Sequence, residues 1–446
     1  MGSKFRLTYI VSVAGPLILL GFMVLIPQTG SASDKLLYTL KQAIETALAR
    51  NPDLHASRMD MQASRASVKK ARGRLLPRLD LFTSYTRHGD PMAIAPATAP
   101  SMEGMSYFSR DLYATGLRIS LPLYEGGMLR SDIKAAFEDA AGSQDETLRR
   151  KQLLAAMVSE NYYQLLYMKA LLKSQEETLG SLEKTRDDAN LRLKLGKIPP
   201  LDLMEMDTEV SAQRQAVVST RQAIKRTRQR LAVYLGMEPS SEPEVVGRLH
   251  EPEIKSLQAH FLDDLIDKRP DIMRALRQIA KAEIMVKKAK GQRLPRAEVF
   301  GDYNLTAAGG FNEGENFWST GVSLSLNIFD GGTIAADVSE AESRLMAARN
   351  RLKALRLEAK SEILAAVSAF MEAQASLSLA KRVQTSAKEA FRIERLRYEN
   401  GVGTVRELLK AQAAWQGAVA KYIKALYELQ RAVIAWKLAA GNILPF

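Results

Sequence analysis

The stretch Thr320 to Ala341, TGVSLSLNIFDGGTIAADVSEA, holds a strand, a break and the start of a helix. Trp318, Thr320, Val322, Leu324, Leu326 and Ile328 fall on one face of an extended chain. Ser319, Gly321, Ser323, Ser325 and Asn327 fall on the other. A period of two with one apolar and one small polar face predicts a strand with unlike solvents on its two sides. Asp330-Gly331-Gly332 ends it. From Ile334 almost nothing interrupts a helical pattern until Asn400. Ordinary soluble domains rarely join one amphipathic strand to a helix of roughly sixty residues.

The stretch has a twin. Thr115 to Ala136 reads TGLRISLPLYEGGMLRSDIKAA, and Leu121 to Gly127 matches Leu326 to Gly332 at an offset of 205. Leu117, Ile119, Leu121 and Leu123 share one face, opposite Gly116, Arg118 and Ser120. Upstream, Asn51-Pro52-Asp53-Leu54 matches Arg269-Pro270-Asp271-Ile272, and Gly73 to Arg78 matches Gly291 to Arg296, both at an offset of 218. Two copies of one unit mean an internal duplication. The drop from 218 to 205 leaves 218 − 205 = 13 extra residues in the first hairpin, within His88 to Asp111. A loop that absorbs such a difference belongs at an exposed tip.

The chain divides accordingly. Residues 1–32 carry a basic start (Lys4, Arg6), an apolar run from Val11 to Ile26 and the small residues Gly30-Ser31-Ala32, which predicts a secretory signal. A first repeat covers 33–236, with a hairpin over about 79–124. An irregular connector follows at 237–256. A second repeat covers 257–446, with a hairpin over about 297–328. The four strands are expected at about 79–87, 113–124, 297–306 and 317–328. Each repeat then carries a long helical hairpin, turned at Leu195 to Pro200 and at Asn400 to Gly403. In the last helix Val405, Leu408, Gln412, Trp415, Val419, Tyr422, Leu426, Leu429, Val433 and Trp436 step by 3 and 4, which predicts coiled-coil packing. After residue 32 no run approaches twenty apolar residues, so no helical membrane span is expected.

Lys plus Arg exceeds Asp plus Glu by 13, or 13 − 2 = 11 once Lys4 and Arg6 are set aside. The bases alternate with acids along helices, as in Arg392-Ile393-Glu394-Arg395, and read as solvated faces. Zinc-finger, RNA-binding and phosphate-loop motifs are absent, so no nucleic-acid partner is expected. The absence of cysteine excludes disulfides, thiolate metal sites and a lipidated N-terminal Cys.

Four strands with one wet and one apolar face cannot close alone, because open edges in lipid leave backbone groups unpaired. Strands must be pooled between copies; three copies would give 3 × 4 = 12. Ser319, Ser323, Ser325 and Asn327, with Arg118 and Ser120 from the twin strand, would then line a lumen.

Taken together, the duplication, the helix–Leu-Pro–strand junctions, the Gly-Gly strand exits and the repeated turns resemble the TolC family of outer-membrane efflux and secretion channels, over essentially the whole mature length. The resemblance implies a mainly helical fold with a small β part and a homotrimer. Its twelve-stranded barrel would sit in outer-membrane lipid, with a helical tunnel in the periplasm. It also implies docking to a periplasmic adaptor protein and, through it, to an inner-membrane pump. By the same resemblance Leu195, Gly196, Lys197, Ile198, Asn400, Gly401 and Val402 form the docking turns. Arg406, Glu407 and Lys410 would flank the periplasmic gate.

No catalytic, cofactor or metal site is expected. His55, His88, His250 and His260 lack ligand spacing, and no nucleophile or nucleotide motif occurs. Met92, Met102 and Met105 could hold a soft metal ion, but an exposed loop explains them better. The alternative to a duct is a periplasmic coiled-coil scaffold, which leaves the amphipathic hairpins unexplained.

Overall fold

The structure, a computed structural model, describes residues 37–93, 108–252, 262–308 and 314–443. The expected signal segment and most of the Met-containing loop lie outside these residues. The described part begins with β1 (Leu37–Tyr38), α1 (Leu40–Arg50) and α2 (Pro52–Gly73). A long hairpin follows, β2 (Arg78–Ala93) and β3 (Phe108–Glu125), and then α3 (Met128–Lys194) and α4 (Pro200–Tyr234). After β4 (Glu244–Val245) and α5 (Leu262–Asp267), the plan recurs. It runs through α6 (Pro270–Gly291), β5 (Arg296–Ala308), β6 (Gly314–Ser325), α7 (Thr333–Glu399) and α8 (Val405–Ala439).

Equivalent helices have equal lengths: 22 residues for α2 and α6, 67 for α3 and α7, 35 for α4 and α8. The hairpin helices keep the 205 offset from end to end (333 − 128; 439 − 234). At roughly 1.5 Å per residue, α3 and α7 are each about 100 Å long. Their starts are set by glycines: Gly127 and Gly332 occupy left-handed backbone at φ 78° and 89°, where a Cβ would be penalised.

The strands form one antiparallel sheet in the order β2-β3-β5-β6, so the two repeats meet at β3–β5. Strands β2 and β6 are the edges. The core lies lower. Ile44 and Ala47 of α1 pack with Val158 and Leu165 of α3 and Leu231 of α4. Phe370 and Leu377 of α7 pack with Leu426, Leu429 and Val433 of α8. Each of these side chains larger than alanine contributes roughly 1.5–3 kcal/mol by leaving water. The buried Ala359, Ala366 and Ala373 let α7 lie close to its neighbours.

Several boundaries differ from expectation. Strands β2 and β3 are longer than the hydrophobic alternation suggests, because ladder bonds continue past the apolar segment. In contrast β6 stops at Ser325, so Asn327, Leu326 and Ile328 are not in a strand. The connector is not wholly irregular: β4 pairs in parallel with β1, and Lys169 donates to the Val245 carbonyl at 2.8 Å. Two residues are too few to show a period. Helix α7 also contains one window long and apolar enough to cross a membrane by composition, with 33% of it buried. Its exposed Leu364, Met371 and Leu379 lie on a second stripe beside the buried one.

Charges on α3 and α6 are not simply solvated faces. Asp132, Asp139 and Glu146 step by seven along α3 and meet Lys288, Lys281 and Arg274 of α6. Exposed pairs are individually worth little. Repeated every two turns, they fix the antiparallel register of the helices that carry the sheet.

Candidate channel wall and helical tip

Register sorts the sheet into two faces, since residues paired across antiparallel strands point the same way. On one face lie the rows Leu81–Leu117–Tyr303–Trp318 and Leu121–Val299–Val322. Leu79, Leu81, Trp318, Val322 and Leu324 are each at least 67% exposed. A contiguous apolar face of this size seeks an apolar environment. From the Ala297–Leu324 row to the Tyr113–Ala307 row is ten residues of β5. At about 3.4 Å per residue and about 40° of tilt this spans about 25 Å, the apolar height of an outer-membrane barrel. Aromatic residues stand at both limits. Tyr85 and Tyr113 pack at 4.9 Å at one limit, and Tyr124 pairs with Ala297 at the other.

The opposite face is polar. Arg118 and Ser319 share the row Asp80–Arg118–Asp302–Ser319; Ser120 lies in the row Arg78–Ser120–Phe300–Gly321. Ser323 is opposite Glu298 and Ser325 opposite Arg296, so these five expected wall residues fall on one face. Asn327 does not join them, because the strand has ended. Arg118 bonds Asp302, and Arg78 bonds Asp80 at 2.9 Å.

Three phenylalanines on this polar face escaped the sequence reading. Phe82 lies across Gly116, where an added Cβ would sit 2.8 Å from its ring, and Phe300 lies across Gly321, at 3.0 Å. Phe317 is paired with Asn304 in the Phe82 row. The signal was a glycine opposite an aromatic, which becomes visible only when the pairing register is known. Glycine lets each ring lie flat along the wall instead of standing out from it.

At the far end of the helices the two turns are built alike. Gly196 and Gly401 take left-handed backbone at φ 69° and 77°. Lys197 donates its N–H to the Arg192 carbonyl and Val402 to the Arg397 carbonyl, both at 2.9 Å. These bonds satisfy helix-end carbonyls that would otherwise lack partners. Leu195 and Val402 are exposed, whereas Ile198 packs against the cluster of Met206, Phe391, Tyr398, Val405 and Leu408. The Arg192 guanidinium lies 4.8 Å over the Tyr398 ring and ties the hairpins together.

The residues after the second turn are less free than their spacing suggests. Glu407 turns back to accept from the Thr404 N–H at 3.0 Å and hydroxyl at 3.1 Å, closing a capping box. Those bonds, the backbone one foremost, hold its carboxyl below the usual range. Arg406 pairs with Glu205 of α4 at 2.8 Å. Lys410 is exposed and occupies in the second repeat the position that Glu205 holds in the first.

Comparison with known proteins agrees with this arrangement. The family model described as outer membrane efflux protein matches residues 43–237 and 261–442. The chain belongs to that family. Similar relatives include nodulation protein T of Rhizobium leguminosarum bv. trifolii, 25% identical and covering 90% of this chain and 85% of that protein. Outer membrane protein OprJ of Pseudomonas aeruginosa is also 25% identical, covering 84% and 78%. Among solved structures, the CmeC outer membrane channel of Campylobacter jejuni superposes with a TM-score of 0.79 at 18% identity, covering 90% and 85%. That likeness establishes the TolC-like fold. As a member of the outer membrane efflux family, the chain is an outer-membrane transport channel protein.

Proposed function

We propose that the protein is the exit duct of an efflux pump or a type I secretion system. Three copies pool their strands into a twelve-stranded barrel in the outer membrane, and their paired helices continue as a tunnel through the periplasm. The observation that carries this reading is the four-stranded sheet with a tall apolar face, a polar face and two edges, standing on 67-residue helices. A scaffold in water would leave that apolar face uncovered.

The polar face, with Arg118, Ser120, Ser319, Ser323 and Ser325, lines the lumen. The docking surface for a periplasmic adaptor is the pair of turns Leu195 to Ile198 and Asn400 to Val402. Leu195 and Val402 supply its exposed apolar groups, while Ile198 holds the turn to the core. The adaptor couples the duct to an inner-membrane pump. At the entrance all three side chains are exposed, but Glu407 caps its own helix and Arg406 pairs with Glu205, whereas Lys410 has no such partner among the described residues. A ring of three Lys410 ammoniums weakens cation preference.

The test is reconstitution into planar bilayers. The protein should form channels, and Lys410→Asp should move the reversal potential toward cation selectivity. Monodisperse protein that never conducts would refute the duct. An unmoved reversal potential would remove Lys410 from the entrance. In cells, Leu195→Asp should abolish export while leaving the trimer intact.

A further inference from the structure

The polar face of the sheet carries its aromatic rings unevenly. Phe82 and Phe300 are equivalents in the two repeats (82 + 218), and so are the glycines they cover, Gly116 and Gly321 (116 + 205). A third position decides what each ring can do. Arg118, diagonal to Phe82 across the ladder, holds its guanidinium 5.9 Å from the centre of that ring. Its equivalent beside Phe300 is Ser323 (118 + 205), whose side chain is too short to reach over a ring. Phe82 is therefore closed by a cation. Phe300 has glycine beneath it and, among the described residues, no cation above it.

The third ring, Phe317, lies on β6 four residues from Gly321 (321 − 317), about 14 Å along the strand. It is paired with Asn304, has no glycine opposite, and is 54% exposed. Filling the space over a glycine accounts for Phe82 and Phe300. It does not account for Phe317. An aromatic side chain left in water gains nothing from burial, so its face is available to a passing solute.

The charges between the two open rings set the class of solute. The intervening row is Asp80–Arg118–Asp302–Ser319. Arg118 bonds Asp302, and Arg78 bonds Asp80, so each of these charges already has its counter-charge. A charged solute would give up water there without an unpaired group to replace it, which is costly. An uncharged planar molecule gives up little water and stacks on each ring, a gain of roughly 2- to 10-fold in affinity per contact.

We propose that Phe300 and Phe317 form a stacking site for uncharged planar aromatic solutes on the wall of the lumen. The site rests on the channel reading above. Three copies would carry 3 × 2 = 6 open rings. Contacts of this strength delay a solute without trapping it, as a duct requires.

The rings lie in the barrel, so a probe added on the hairpin side reaches them without passing the helical tip. The probe is 1-naphthol, uncharged at neutral pH, added to channels in planar bilayers. It should produce saturable excess noise in the open-channel current, and its saturated counterpart decahydro-1-naphthol should not. Phe300→Leu and Phe317→Leu should each raise the dissociation constant read from that noise by roughly 2- to 10-fold. Ser323→Arg, which supplies the missing cap and leaves the ring in place, should do the same. Phe82→Leu should leave the constant unchanged, because that ring is already covered. Trp318→Leu should leave it unchanged too, because Trp318 stands on the opposite, apolar face. Unaltered conductance without probe shows that a variant has assembled, and Phe317, exposed on an edge strand, is the variant least able to disturb folding. Conducting channels without excess noise, equal noise from the saturated probe, or an equal shift in Trp318→Leu overturns the site. Protein that never conducts overturns the channel reading and the site with it.

Discussion

Each repeat anchors its second helix to the end of its helical hairpin, and the two do so differently. In the first, Asn51 caps α2 by accepting from the Leu54 N–H at 3.1 Å and donates to the Tyr234 carbonyl at 3.1 Å. In the second, Arg269 stands at the same place, buried to 1% exposure. It grips Asp271 with two bonds, Glu362 at 2.7 Å and the Ala439 carbonyl at 3.1 Å. Ala439 is the equivalent of Tyr234 (234 + 205). One geometry is therefore met by a neutral amide in one repeat and by a buried ion cluster in the other. A duplicated fold conserves where a carbonyl must be satisfied, not which group satisfies it.

The difference is open to measurement. Arg269→Leu strips a partner from two carboxylates and should destabilise by about 3–5 kcal/mol, read as a lower denaturant midpoint. Asn51→Ala removes a cap and one carbonyl bond and should cost about 1–2 kcal/mol. Equal losses would mean that the charges contribute nothing beyond the shared carbonyl bond.

Acid should separate the anchors as well. Burial pushes the Asp271 carboxyl up, but the Arg269 guanidinium, helped by Arg149, pulls it down further and leaves it below its ordinary value. A lowered carboxyl pKa stabilises the fold above the unfolded value, and that stability is lost as pH falls through the folded value. The Asn51 anchor has no such titration. Hydrogen exchange at the end of α8 should therefore quicken in acid before exchange at the end of α4. Simultaneous loosening would sink the distinction.

The smallest contrast lies at the tip. The second turn opens α8 with the Thr404–Glu407 capping box, whereas the first opens α4 with Pro199-Pro200 and no side-chain cap. Thr404→Ala should fray only the second turn, at a cost of about 1 kcal/mol, seen as faster exchange at the start of α8.

Much of this was legible in the sequence. Period two and period 3.6 found the strands and the long helices, and the paired glycines found the strand exits and tip turns. The cap at Glu407 is legible too, as the Thr-x-x-Glu pattern of Thr404-Val405-Arg406-Glu407. What stayed hidden depends on neighbours distant in sequence. The flat rings of Phe82 and Phe300 need the register, and the stop of β6 at Ser325 depends on which strands lie beside it. Arg269 precedes a proline in the sequence with nothing local to mark it as buried; its burial comes from α7 and α8, 93 and 170 residues away.

One copy supplies four strands with two open edges, too few to close a barrel. The mass of the mature protein in detergent tests it most directly. Light scattering with the detergent contribution subtracted should give three chains per particle, with the strand signal retained in circular dichroism. A monodisperse single chain with its strands intact would contradict the account.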